Sequence, residues 1–457
     1  MSRRILFLIL VLAFTGSAAA QVTVAQDGRG DFNGTDEKPI LAAIASVKAQ
    51  GGGEIVIHRG IYVVNQSILL KGVVNVTLRG LPGATLKLAP LQHAEVSSAV
   101  AVGETVLPVR VQRGITVETL LQIRAPGAID SFSGQAKPTF YVKLAKVEEG
   151  RLTLAQPLPH PVPAKTQLVN ENAPNLLELR EGCENIVIEG LTIDGGRTPE
   201  DPAIAMHAQA CGIFASGKYS YTDGPTGKPV RGLTIRDCTI RNCFGRAVAF
   251  YSVIDSLVAH CRIEDIVDEA VDLDHFAVNC RVLDNQIARS RIGVEMNDAN
   301  ECWVARNRIE SVQTGVNLWR WCKMEDLNVR NQILDNLFLN IDGNALQLAA
   351  GTKGNIARGN IIRGTGRNGI SMGASDTVIA GNLIERPGMH GITVAGEGNE
   401  ITGNRVTDPG AGASQKFAGI RIVGAKNRVF DNLITSGEGT EKATLPVAND
   451  GAENVLR

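Results

Sequence analysis

Between residues 250 and 321 the sequence gathers acids, amides, a histidine, an arginine, a tyrosine and two of its three tryptophans at matching positions of a repeated phrase. Asp272-Leu273-Asp274-His275 is the densest piece. Glu295, Asn297 and Asp298 follow one repeat later, then Asn317, Trp319, Arg320 and Trp321. Tyr251 stands one repeat earlier and Gln347 one later. If alternate residues face outward and repeats stack, Asp272, Glu295, Asn317 and Gln347 form one outward column. Tyr251, Asp274, Asn297 and Trp319 form the next, with His275, Asp298, Arg320 and Trp321 just beyond. Carboxylates this close repel unless a cation or a shared proton relieves them.

Three chemistries suit such a cluster. Removal of the proton beside a uronate carboxyl needs charge neutralisation, a base and often an acid. Arg320, Asn317 or a bound Ca²⁺ would neutralise, and His275 or Tyr251 would move protons. Ca²⁺ takes several oxygen ligands, which Asp272, Asp274, Glu295 and Asp298 would supply. A glycosidase needs two carboxyls at a set gap. Asp272 and Glu295 on adjacent coils, about 5 Å apart, suit retention. The third chemistry is binding alone, with Trp319 and Trp321 stacked on sugar rings and Asn297, Asn317 and Gln347 bonding hydroxyls.

The elements that must position these residues are short strands. From residue 188 a phrase recurs: an aliphatic residue, two variable ones, Asn or a substitute, one variable, then Ile or Val. It ends at Ile193, Ile240, Ile263, Ile287, Ile309, Ile333, Ile362, Ile384, Val406 and Ile434. Most steps are 22 to 24 residues, and longer ones of 47, 29 and 28 imply extra loops. A fixed period marks a stacked repeat, and alternation inside it reads as strands rather than helix. Asn285, Asn307, Asn331, Asn360, Asn382, Asn404 and Asn432 fall in one slot, with Cys238 and Cys261 before them. Stacked coils lie about 4.8 Å apart, so inward amides there bond their neighbours above and below. Cys280 and Cys302 share a second slot. Either Cys pair is close enough for a disulfide, and free buried thiols are the plainer reading.

The fold expected is an all-β, right-handed parallel β-helix with an N-terminal cap helix and a small inserted β segment. Residues 22 to 80, with the phrases DEKPILAAIASVKAQGGGEIVIHRGIYVV and VTLRG, resemble the opening of pectate-lyase-like and pectin-esterase-like β-helices. That resemblance implies a cap helix from Glu37 to Ala49 and a turn at Gly60-Ile61-Tyr62. The esterase phrases are absent. From Asn175 to Ile434 the chain resembles the repeats of polysaccharide lyases, epimerases and hydrolases. Asp272-Leu273-Asp274-His275, with Tyr251 nearby, resembles the Asp-Pro-His-Asp/Glu phrase of mannuronan epimerases. Here the Pro is missing and no acid follows the histidine.

Four segments follow: a signal peptide at 1–20, the cap and first coils at 21–91, a β-rich insertion at 92–172 and the β-helix at 173–457. Arg3 and Arg4, an apolar run from Ile5 to Phe14 and the small residues before Gln21 carry the signal-peptide reading. Export, to the periplasm or beyond, is expected. With 46 Lys and Arg against 47 Asp and Glu, no basic excess points to nucleic acid. No run after residue 20 could cross a bilayer as a helix. The partner expected is a polysaccharide, the chain a monomer, and the activity a lyase or epimerase on a uronate polymer. A paired-carboxylate hydrolase or a non-catalytic binder is the alternative.

Overall fold

The computed structural model describes residues 20–124, 140–201, 203–411, 416–435 and 445–457. Of the expected signal peptide, residues 1–19 lie outside the described residues. Among the described residues no helix is long and apolar enough to cross a membrane.

The one described α-helix, Lys38–Ala49, starts with Pro39 in its first turn and buries Ile40, Ala43, Ile44 and Val47. That face packs on the strands Ala20–Ala25 and Gly53–Ile57 of the first coil. Gly53 is required by close approach, because a Cβ there would meet the Ala20 carbonyl oxygen at 2.3 Å. The expected Gly60-Ile61-Tyr62 turn is instead the start of a strand, Gly60–Val64. Tyr62 points inward and is fully buried, its hydroxyl bonded to the Val24 and His58 carbonyls, so alternation wins over the turn.

Beyond the cap, strands of successive coils pair in parallel, each with the one a coil later, and build two long sheets. The inward positions stack into apolar columns. Ile240, Ile263, Ile287, Ile309, Phe338, Ile362, Ile384 and Val406 lie in register and are all buried. Each such side chain contributes about 1.5–3 kcal/mol by leaving water. This column corrects the repeat reading at one coil. Phe338, not Ile333, continues it, and the steps around it are therefore long first and short second.

The same slip moves Asn331. The ladder runs Asn285, Asn307, Asn336, Asn360, Asn382, Asn404 and Asn432, each side-chain oxygen accepting from the amide and backbone N–H of the Asn before it at 2.9–3.0 Å. Asn331 belongs to a second ladder, five residues earlier in each coil, where Cys302 N–H donates to Asn331 and Asn331 N–H to Asn355. The two ladders flank one short strand, such as Gln332–Leu334. The residue before each ladder position turns the corner in the left-handed region, as at Asp284 (φ 58°) and Gly359 (φ 68°). Asp, Asn and Gly tolerate that conformation best. All eight cysteines are free and buried.

A seven-stranded antiparallel sheet, from His93–Val96 to Gln167–Asn170, interrupts the coils and holds its own core of Leu107, Leu121, Ile123, Leu152 and Leu168. It is pinned to the solenoid where Asp201 meets Arg113 and the buried His93.

Candidate active site

Four parallel strands position the cluster: Val248–Tyr251, Arg262–Asp274, Gln286–Asn297 and Thr314–Trp319. Register places Ala249 beside Asp272, Asp272 beside Glu295, Glu295 beside Asn317 and Asn317 beside Gln347. Tyr251 pairs with Asp274, and Asn297 with Trp319. Both expected columns are therefore present. Between Ile266 and Glu269 the register shifts. This irregularity re-aims the strand and brings Asp268 and Glu269 onto the same face, as bulges do near sites.

A cleft of about 380 Å³ opens there, lined by His207, Arg246, Glu269, Asp274, Arg291, Ile292, Glu295, Asn297, Asn317 and Trp319. Its floor is a buried charge network. Arg246 Nε lies 2.8 Å from Glu269 Oε2 and 2.6 Å from Asp272 Oδ2. Arg291 pairs with Asp268 at 2.5 Å and also contacts Glu269. His207 Nδ1 lies 2.8 Å from Asp268 Oδ2. Glu295 accepts from the Trp319 indole N–H and, at 3.5 Å, from Asn317.

The acids hold their protons unequally. Burial would raise Asp268, but the His207 hydrogen bond and the charges of Arg246 and Arg291 outweigh it and hold the carboxyl well below the usual range. Burial, reinforced by Asp268 and Glu295, pushes Glu269 up to about 8 despite both arginines. Burial also raises Glu295, against a hydrogen bond from Glu269 that pulls it back. Burial thus favours the protonated form of Glu269, beside Glu295, against the pull of the two guanidinium groups. Burial raises Asp272 too, against the pull of Arg246. Asp272 is 1% exposed, yet among the described residues neither of its oxygens finds a hydrogen bond of good geometry and Asn297 Oδ1 finds no partner. Buried polar atoms are rarely left so, and these border the place where a substrate would lie.

The structure brings Asp274, Glu295, Asn297, Asn317 and Trp319 to the cleft wall and sets Asp272 beneath it. Five other expected site residues sit elsewhere. His275 is buried behind Asp274, among Tyr219, Tyr221, Tyr251 and Phe276, with Nδ1 held 2.9 Å from Asp298. Arg320 leans over Gly351 in the next coil, outside the cleft lining. Trp321 packs with Phe276, Cys322 and Leu327, its ring 5.8 Å from that of Trp319. Gln347 is in the column but bonds Asn344 at 2.6 Å, below the cleft. Tyr251 is buried and bonded to Asp274, and burial raises its hydroxyl far above the ordinary range.

The four acids expected to ligate Ca²⁺ do not fit that ion. The Arg246 guanidinium occupies Asp272, and Asp298 lies behind the Asp274 wall with His275 and Cys322 rather than with the other three acids. Repulsion from the arginine and the removal of Asp298 leave too few donors at the cleft for a six- to eight-coordinate cation.

His207, Arg246, Asp268, Glu269 and Arg291 were missed from sequence. Arg246, Asp268, Glu269 and Arg291 flank the recurring second strand rather than occupying its outward slots. His207 sits in the segment between the strands Thr192–Asp194 and Ile213–Ser216, inside the 47-residue step. That long step was the available signal. The same step supplies the hairpin Tyr219–Ser220 with Gly224–Pro225, whose Tyr219 and Tyr221 cover His275.

Comparison with known proteins agrees on the architecture. A family model described as right-handed β-helix region matches residues 178–338, and one described as periplasmic copper-binding protein (NosD) matches residues 264–443. The A-module of the Azotobacter vinelandii mannuronan C-5 epimerase AlgE4 is similar at a TM-score of 0.61 and 15% identity, over 93% of this chain and 97% of that one. The N-terminal fragment of bacteriophage Phi29 gene product 12 is similar at a TM-score of 0.51 and 11% identity, over 91% of this chain and 69% of that one. No curated protein matches the sequence. With its coil-by-coil parallel pairing, the chain is a right-handed parallel β-helix protein.

Proposed function

We propose that the cleft processes an acidic polysaccharide by acid–base chemistry, as a lyase or epimerase removing the proton beside a uronate carboxyl. The observation that carries the reading is the presence of two proton devices at one cleft: the His207–Asp268 contact and the buried Glu269, its carboxyl pushed up to about 8, beside Glu295. A carboxylate neighbour orients an imidazole and stabilises its cation, and imidazole is the side chain best suited to moving protons near neutral pH. In this reading His207 takes the substrate proton. Glu269 donates a hydrogen bond to the uronate carboxylate as negative charge develops there. Trp319 supplies a sugar-stacking surface at the rim. Similarity over nearly its full length to a module of a mannuronan C-5 epimerase supports a polyuronate as the first substrate to try.

A second reading, glycoside hydrolysis, is favoured by one observation. Glu269 and Asp272 both reach the Arg246 Nε, so their oxygens lie no farther apart than those two contacts together allow. That suits a retaining acid and nucleophile, about 5 Å apart.

The test is a panel of uronate and neutral polysaccharides. Ultraviolet absorbance of an unsaturated product indicates the lyase. Solvent deuterium entering the polymer without cleavage indicates the epimerase. New reducing ends without absorbance on any polymer replace the first reading by the second. No change in any polymer sinks both.

A further inference from the structure

Behind the Asp274 wall lies a second cluster that the proposed chemistry leaves unused. Three successive coils each place one donor at the same corner: His275, Asp298 and Cys322. Their Nδ1, carboxylate oxygen and Sγ all lie within 4.8 Å of one another, and all three side chains are buried. Nδ1 is 2.9 Å from Asp298 Oδ2, and the Cys322 thiol also hydrogen-bonds Asp298. Phe276, Leu327, Tyr219, Trp321 and Met324 close an apolar shell around them.

We propose that His275, Asp298 and Cys322 form a binding site for a thiophilic divalent cation of the Zn²⁺ type. Imidazole nitrogen, thiolate sulfur and carboxylate oxygen are the three ligand types that Zn²⁺ takes, at about 2.0–2.3 Å. Donors at that range from one ion stand about 3–4 Å from each other, so the corner needs only a small closure. Asp298 is already oriented by the backbone N–H groups of Trp321 and Cys322, the kind of outer support that metal-ligating carboxylates use. Two hydrogens now point at Asp298, one from Nδ1 and one from the thiol. A cation replaces both: the thiol proton leaves to solvent, and the imidazole proton moves to Nε2. Thiolate and carboxylate then balance the two positive charges. The apolar shell strengthens that attraction by excluding water. The site is independent of the polysaccharide reading. It meets the cleft wall at Asp274, whose Oδ1 accepts from the His275 N–H at 2.7 Å and lies 3.2 Å from Nδ1.

The test loads the full chain with Zn²⁺, removes loose metal by desalting and measures what remains; Co²⁺ serves as the optical probe. The expected result is about one equivalent kept per chain, a thiolate-to-cobalt charge-transfer band, and a zinc-dependent rise in Tm. Cys322→Ser and His275→Gln each lose the band and the retained metal. Cys302→Ser, a buried thiol at another corner, keeps both. Should Cys322→Ser fail to fold by circular dichroism, Cys322→Ala takes its place. Three results overturn the proposal: no metal kept by the wild type, cobalt bound without the thiolate band, or undiminished retention in folded Cys322 and His275 variants. Any of these leaves the corner as a hydrogen-bonded structural knot.

Discussion

The solenoid buries polar side chains in two places, and treats them in opposite ways. Along the Asn ladder every side-chain amide meets an acceptor. Asn360, for example, donates to the Ile333 carbonyl and Asn382, and accepts from Asn336. Beneath the cleft the polar groups are mismatched. Carboxylates crowd on two arginines, burial pushes one acid up to about 8, and oxygens of Asp272 and Asn297 lack good partners among the described residues. A satisfied column adds stability and specifies register. An unsatisfied one costs stability, and persists where binding or proton transfer uses the unmet capacity. The contrast separates satisfied from unsatisfied burial within one solenoid.

The sharpest way to break this contrast is at the cleft. Glu269→Gln and His207→Gln should each lower kcat/KM on a substrate found by the panel about 10²–10⁴-fold, the usual worth of a proton-transfer group. Asp272→Asn should abolish measurable turnover. Thermal melting below pH 4.5 should show little change for Glu269→Gln, because there a neutral acid is replaced by its neutral isostere. A large loss of Tm with intact turnover would make the cleft structural.

At the ladder the effects should reverse. Asn360→Leu strands several groups, each costing about 1–3 kcal/mol when buried without a partner. Urea unfolding should register that loss while kcat/KM per folded molecule holds. An unchanged midpoint would mean that the ladder is dispensable.

A smaller effect follows from Glu269 itself. Its folded-state value of about 8 lies above its ordinary 4.5, so its contribution to stability is full below pH 4.5 and is lost as pH rises through about 8. Activity that needs the protonated form should fall over the upper part of that window. Melting curves across the window should show the wild type losing stability relative to Glu269→Gln. Parallel curves for the two would show that Glu269 is not held protonated. The least effect belongs to Ser371→Ala and Thr393→Ala, in the same column but beyond the cleft. Both should stay within about 0.5 kcal/mol and leave turnover alone. Among the described residues the Thr393 hydroxyl has no hydrogen-bond partner to lose.

The repeat was legible in sequence because a coil is local. Its strands need alternation, its corners need Asp, Asn or Gly, and its interior needs aliphatic residues at fixed steps. Where two corners carry the same signal five residues apart, as at Asn331 and Asn336, local pattern cannot say which ladder each joins. Strand register decides it.

The candidate site was legible only along its columns. Asp272, Glu295, Asn317, Asp274 and Trp319 lie in repeating outward slots, and stacking alone brings them together. His207, Arg246, Asp268, Glu269 and Arg291 occupy no such slot. A loop inside a long step carries in His207, a register shift Asp268 and Glu269, and positions just ahead of the recurring second-strand phrase Arg246 and Arg291. Which acid keeps its proton depends on burial and on distances to guanidinium groups from other coils, and His275 is turned away from the cleft by Asp298 one coil on. Periodicity by itself therefore determined the β-helix and the face that bears the cluster. The partners, protonation and depth of each residue on that face were decided only by tertiary contact, because electrostatic and hydrogen-bond energies depend on separations in space that a one-dimensional repeat does not encode.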